Sequence, residues 1–327
     1  MSTGRSGADA TPLVSIVTPT RNRRSLLEWT IKSIRNQTYP NVEHIVMDGA
    51  STDGTIDLLR DLEGSYRLRW TSESDPGMYH AINKGLALAT GEILAYLNSD
   101  DLYLPWTIEL VVETFRRNPD ADFVFGDAVA VDEETGNQTL YWIPPFDLDF
   151  IRRSGFLAQP AVFWRRRVFD DEGGFDESLR YVADCDYWMR MGAQRRFVKV
   201  PEFLAIERNH GDTLREATDG AVWTELAEVR SRYVTMTGKL HERRIEAQQR
   251  RLYWWWRFYS LALLIQSLIP RPIRRGPWSR MLAARTTKVS RLRLLIRGLP
   301  FIRRIGAVRA YAAKNVLGPG RSLLEPP

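Results

Sequence analysis

The amino-acid sequence predicts an α/β fold in which a mixed, mainly parallel sheet carries helices on both faces and is followed by a basic helical region. Three observations predict it. Strand-like and helix-like segments alternate from Val14 to about Leu204, the order that builds a parallel sheet with covered faces. A short apolar run, Ile93 to Leu97, stops at Asn98-Ser99-Asp100-Asp101, and a strand's C-terminal end is where open α/β sheets bind ligands. Charge is also divided along the chain. Residues 1–231 carry 25 Lys+Arg against 37 Asp+Glu, whereas residues 232–327 carry 21 against 3.

Taken in order, residues 1–12 are polar, lack the apolar run of a signal peptide and are expected to be disordered. Val14 to Thr20 is a β-branched run ended by a proline turn, and so a first strand. Ser25 to Gln37 spaces Leu26, Leu27, Trp29, Ile31 and Ile34 as a helix does, until Tyr39-Pro40-Asn41 breaks it. A second strand, Val42 to Met47, runs into the polar loop from Asp48 to Thr55. Then come a helix from about Ile56 to Leu62, a short strand Leu68 to Thr71, a helix Tyr79 to Ala89, and the strand that ends at the acidic pair. Beyond it lie a helix from Trp106 to about Arg117 and a strand Phe123 to Asp127. The proline- and aromatic-rich Leu140 to Phe150 reads as a loop flanking a cleft. A strand-like then basic segment Ala161 to Phe169, a helix Asp184 to Met191 and a strand Phe197 to Leu204 complete the series.

Adjacent carboxylates repel, so Asp100 and Asp101 call for a cation. A hard divalent ion held by one or two carboxylates plus substrate phosphates meets that need. The competing reading is an acidic loop capping the helix that starts near Pro105-Trp106. No G-x-G-x-x-G and no P-loop follow the first strand. The single cysteine, Cys185, excludes an intrachain disulfide.

Several stretches then match a known family in order. SIVTPTRNRRSLLEWTIKSIRNQTYPNVEHIVMDGASTDGT is followed by SDPGMYHAINKGLALATGEILAYLNSDD, then by GGFDE and ADCDYWMRM, together spanning residues 13–215. The chain resembles a family 2 glycosyltransferase with the GT-A fold, a Rossmann-like nucleotide-diphospho-sugar transferase. The resemblance implies an inverting, metal-dependent enzyme using Mn²⁺ or Mg²⁺ and an NDP-sugar donor, with a UDP-sugar expected. It implies that the Asp-x-Asp-type motif, here Ser99-Asp100-Asp101, meets the diphosphate, with Asp101 as the direct metal ligand. Asp100 is then placed at the ribose, or at the metal through water. By the same resemblance Pro19, Thr20, Arg21 and Asp48 hold the base and ribose, Asp75 and Lys84 belong to the nucleotide pocket, and His210 reaches the metal or diphosphate. Asp184 is the general base. Two positions depart from the family pattern: Gly49 stands where many relatives have a second aspartate, and Ala183 where a glutamate precedes the base. Lys84 as a solvated helix lysine, Asp184 as a helix cap and Trp188 as a core residue remain the alternatives at those positions.

The region 216–327 reads differently. Leu252 to Ile269 has 18 residues with one charge, Arg257, a helix of about 27 Å flanked by arginines and carrying three consecutive tryptophans. Val289 to Val316 alternates apolar pairs with arginines, the pattern of a basic amphipathic helix on anionic lipid. An in-plane or shallowly inserted anchor is expected, so that the protein sits on the cytoplasmic membrane face. There it would glycosylate a lipid-linked or polysaccharide acceptor of the cell envelope. Packing on the catalytic domain or in a homo-oligomer is the alternative for these helices; nucleic acid is not an expected partner, since no recognition motif accompanies the charge. The rival functions are a nucleotidyltransferase on the same fold and a non-catalytic membrane scaffold.

Overall fold

The computed structural model describes residues 11–233 apart from 142, 155, 156, 212 and 214–219, together with Tyr311. Residues 1–10 lie outside the described residues, as do 252–269 and, apart from Tyr311, 289–316, and the expectations placed on them fall outside the described structure. The chain divides into two compact units, Met1–Thr235 and Met236–Pro327. No helix among the described residues is long and apolar enough to cross a membrane.

The first unit opens with β1 (Val14–Thr20), α1 (Arg24–Arg35), β2 (Val42–Asp48), α2 (Thr55–Asp61), β3 (Leu68–Ser72), α3 (Met78–Leu88) and β4 (Ile93–Tyr96). The β1, β2 and β4 side chains are almost all buried, as expected for strands covered on both faces. Side by side in the order β3-β2-β1-β4, these strands are parallel, and their register aligns the C-terminal ends Ser72, Asp48 and Thr20. Helix α3 lies so close to the sheet that a side chain on Gly85 would strike Val17 and Met47. Leu27, Ile31, Val46 and Leu59 form the core under α1 and α2.

The second half comprises β5 (Leu102–Tyr103), α4 (Thr107–Arg117), β6 (Phe123–Asp132), β7 (Gln138–Tyr141), α5 (Leu148–Ser154), β8 (Val162–Arg165), α6 (Arg166–Glu172), α7 (Ala183–Met191), β9 (Phe197–Asn209) and α8 (Ala221–Tyr233). The sheet continues β4-β8-β6-β9-β5, with β8 and β5 antiparallel to their neighbours and β6 parallel to β9. A mixed α/β fold with a mainly parallel first half is thus what the sequence predicted.

Four expectations change. Leu140 to Phe150 is not all loop, because Gln138–Tyr141 pairs antiparallel with β6 and Leu148 begins a helix. Ala161 to Phe169 splits into a 3-10 turn, a short strand and a helix, since the apolar run ends at Trp164 and three consecutive arginines follow it. Strands β6 and β9 run longer than expected, each extending the other's ladder as far as Asp132 and Asn209. The two-residue strand β5 had no visible apolar signature of its own. It pairs Leu102 with Ile206 and Tyr103 with Ala205, which brings the acidic pair beside the end of β9.

Candidate active site

The C-terminal ends of β1 to β4 and the segment leading into α7 enclose a cleft of about 1070 Å³. Pro19, Thr20, Arg21, Gly49 and Asp75 from the strand ends line it, together with the Asn98 to Asp101 loop, which we call its floor, and Glu177 to Val182 with Asp184 at the entry to α7. The size suits a ligand with several polar anchors.

The floor is held from below. The Thr30 hydroxyl of α1 lies 2.9 Å from both the Ser99 and Asp101 carbonyls and donates to that loop, while Ser99 itself is buried. Helix α4 begins after Trp106 with no side-chain cap, so the acidic pair does not serve as its cap. The two carboxylates face different ways. Asp100 meets the Arg23 guanidinium and lies 3.3 Å from His210 Nε2. Asp101 turns inward and accepts the Arg208 backbone N–H at 3.3 Å. Their acidities part accordingly. Burial pushes the Asp100 carboxyl up, but the His210 hydrogen bond and the Arg23 charge outweigh it and hold Asp100 below its ordinary value. Burial, the Asp100 charge and Glu207 push Asp101 well above the carboxylate range. The β5–β9 ladder is what brings the end of β9, and with it His210, beside Asp100.

Donor-side residues divide between the cleft and its support. Pro19, Thr20, Arg21 and Asp75 line the cleft. Asp48 is buried beneath it: its carboxylate accepts the Ser51 N–H at 2.9 Å, the Ser72 hydroxyl at 2.6 Å and the Ser51 hydroxyl. It shapes the turn that presents Gly49 instead of offering free oxygens. Lys84 also lies off the cleft, paired with Glu73 and, at 2.7 Å, with Asp75, which His80 holds at 2.8 Å. It is neither a free helix lysine nor a direct lining group, but orients Asp75. Gly49 accommodates the Arg21 stem, since a Cβ there would lie 3.3 Å from Arg21 Cβ and Cδ.

Asp184 stands in the first turn of α7, whose N-cap position carries no side-chain cap bond. The Tyr79 hydroxyl of α3 lies 3.2 Å from Asp184 Oδ1 and 3.0 Å from the Tyr181 carbonyl, joining the two halves of the cleft. Burial raises the Asp184 pKa, partly offset by the Cys185 backbone N–H and the Tyr79 hydroxyl. A carboxylate poised in this way accepts a proton more readily than an exposed one. Trp188 is fully buried, edge-on to Phe123 at 5.8 Å, and belongs to the core.

Four lining residues, Thr20, Asp75, Asn98 and Arg208, each keep a buried polar atom with no protein partner among the described residues. Buried polar atoms left unpaired cost about 1–3 kcal/mol each, so a polar ligand that satisfies them gains by binding. No group of three His, Cys, Asp or Glu side chains among the described residues forms a metal cage. The Asp100 carboxylate and the His210 imidazole lie 3.3 Å apart, and Asn98 on the same loop keeps an unpartnered Oδ1. These oxygen and nitrogen donors are of the types that a divalent ion with phosphate ligands takes.

The family 2 glycosyltransferase model matches residues 15–175. The PGL/p-HBAD biosynthesis glycosyltransferase of Mycobacterium tuberculosis is 33% identical over 184 residues, covering 55% of this chain and 70% of that protein. The chain belongs to the family 2 glycosyltransferases. A second relative, an uncharacterized glycosyltransferase of the same species, is 31% identical over 182 residues, covering 55% of this chain and 68% of its own. Among solved structures, residues 1–349 of S. aureus TarS with UDP-GlcNAc superpose with a TM-score of 0.55 at 18% identity, covering 72% of this glycosyltransferase and 71% of that chain. The mannosyltransferase PcManGT from Pyrobaculum calidifontis, in complex with GDP-Man and Mn²⁺, gives 0.50 at 18% identity, covering 94% and 88%. These two show a shared GT-A fold. The family's enzymes draw on nucleotide-sugar donors, and this glycosyltransferase has the cleft for one.

Residues that the sequence did not single out also shape the cleft: Arg23 on Asp100, Tyr79 on Asp184, and Glu225, whose carboxylate accepts the N–H groups of Arg180, Tyr181 and Val182 at 2.8, 2.7 and 3.0 Å. Tyr79 lies inside a motif of the family pattern and was open to discovery there. Glu225 is 41 residues from Asp184 with no local signal of any kind.

Proposed function

We propose that this glycosyltransferase inverts configuration, moving a sugar from an NDP-sugar to an acceptor hydroxyl with Asp184 as general base. The observation that carries the reading is that Asp184 and the Asn98–Asp101 floor line one and the same cleft. The acceptor oxygen bonds to the anomeric carbon as the bond from that carbon to the diphosphate oxygen breaks. The electron pair leaves with the diphosphate, and the acceptor proton passes to an Asp184 carboxylate oxygen. Thr20, Arg21 and Asp75 line the nucleotide end, while Arg23 brings positive charge to Asp100 and His210 an imidazole nitrogen. A Mn²⁺ or Mg²⁺ ion held by Asp100 and His210, with Asp101 behind them, supplies Lewis-acid neutralisation of the diphosphate when bound.

A UDP-sugar is the donor we favour, on the family pattern. The acceptor is placed at the cytoplasmic membrane face, as a lipid-linked or polysaccharide glycan, because residues 232–327 are strongly basic and hold an apolar, tryptophan-rich segment. The test is calorimetric titration of the full-length protein with UDP, GDP and dTDP, with and without Mn²⁺. Binding of one nucleotide that strengthens with Mn²⁺, the gain disappearing in Asp100→Ala, is the expected result. Failure of all three to bind folded protein would sink the reading.

A further inference from the structure

Helix α8 lies beyond residues 15–175, the stretch matched by the family model, yet it forms part of the cleft. Its residues divide by face. Leu226 and Val229 are buried, and Glu225 accepts the three N–H groups of the segment that enters α7. At its far end the Tyr233 hydroxyl donates to Asp186 at 2.7 Å. The helix is therefore bound along its length to the element that carries Asp184. Trp223 on the same helix is 60% exposed, although it lines the cleft with Val222 and Leu226.

We propose that α8 is a wall of the acceptor subsite and that Trp223 is its platform, on which a flat apolar ring of the acceptor stacks. The inference rests on the glycosyl-transfer reading above. Of the four polar anchors of the cleft, Thr20, Asp75 and Asn98 belong to the ends of the first four strands and Arg208 to the end of β9; none is on α8. The α8 side offers an indole and aliphatic side chains instead. A large aromatic face left in water gains by covering, and a flat ring covers it with the least loss of freedom. Two sources supply such a ring: the apolar face of a pyranose and an aromatic aglycone. Either one, stacked on Trp223, lies within the cleft into which Asp184 faces. Because α8 is anchored by charge-assisted bonds, the indole is carried on a rigid element, which is what precise placement of an acceptor requires.

The experiment is saturation-transfer NMR on the full-length protein with the nucleotide that binds it, using phenyl β-D-glucopyranoside and methyl β-D-glucopyranoside as probes. At least one probe is expected to bind wild type, to weaken about tenfold or more in Trp223→Ala, and to stay within about threefold in Trp223→Phe. Nucleotide affinity, measured on the same samples, stays unchanged and reports the fold. Binding of both probes alike supports the proposal with a pyranose face; binding of the phenyl glycoside alone supports it with an aromatic aglycone. Equal probe binding in wild type and Trp223→Ala, or no probe binding by wild type that does bind nucleotide, overturns the proposal and leaves the enzyme reading standing. Wild type that binds no nucleotide overturns both.

Discussion

Asp184 sits among groups that pull its carboxyl in opposite directions. Burial raises its pKa, while the Cys185 N–H and the Tyr79 hydroxyl lower it in part. A general base works only when ionised, so its working fraction falls as pH drops through that raised pKa. The acid limb of kcat/KM is therefore expected above the ordinary range of an aspartate. Tyr79→Phe removes one group that favours the ionised form, so the limb should move to higher pH. A shift to lower pH would exclude this role for the tyrosine. Asp184→Asn should cost about 10²–10⁴-fold in kcat with nucleotide affinity intact; full activity in that variant would remove Asp184 as the base. At this scale the sequence singled out Thr20, Arg21, Asp75, Asp100 and Asp184, each from its own motif, and all five line the cleft. It did not show where a carboxylate or ammonium is already engaged by a neighbour. Asp48 is taken up by Ser51 and Ser72, and Lys84 by Glu73 and Asp75. No spacing in the sequence reveals such pairings across strands.

Among the elements, the parallel strands and their helices followed from apolar periodicity, because each buries a face that the sequence must keep apolar. The site depends as much on pieces without periodicity. The two-residue β5 brings Asp100 to His210, and α8 holds the entry to α7 through one carboxylate. Glu225→Ala leaves the N–H groups of Arg180, Tyr181 and Val182 without their acceptor. Hydrogen bonds to a charged group contribute about 1.5–3 kcal/mol and are not additive here. A loss of about 2–3 kcal/mol in stability is expected by urea denaturation. The segment from Arg180 to Val182 leads directly into the turn bearing Asp184, so kcat should fall as well, while KM for the donor, whose proposed anchors lie on the strand ends, should hold. A variant with wild-type kcat and an unchanged denaturation midpoint would show that Glu225 does not position this segment. Glu225→Gln keeps one carbonyl acceptor and should fall between the two.

At the scale of the whole molecule, the division of charge carries the argument. The first 231 residues are net acidic and contain every residue of the cleft, and the remainder, with 21 Lys+Arg against 3 Asp+Glu, is where the proposed anionic surface would act. Each basic side chain near an anionic leaflet contributes about 1 kcal/mol at physiological ionic strength, an attraction confined to roughly a Debye length. The apolar run 252–269 adds a contribution that salt does not screen. The two contributions separate by titration. The full-length protein should cosediment with vesicles containing about 30% phosphatidylserine and much less with neutral phosphatidylcholine. Raising salt to about 1 M, where the Debye length is about 3 Å, should release only part of it. Replacing Trp254, Trp255 and Trp256 with serine should make release by salt complete. Complete release of the wild type would leave electrostatic attachment alone, and equal binding to neutral vesicles would remove the basic residues from the account. Placing acceptor synthesis at a membrane face stands or falls with the first of these comparisons, since the cleft's chemistry is indifferent to where the enzyme sits.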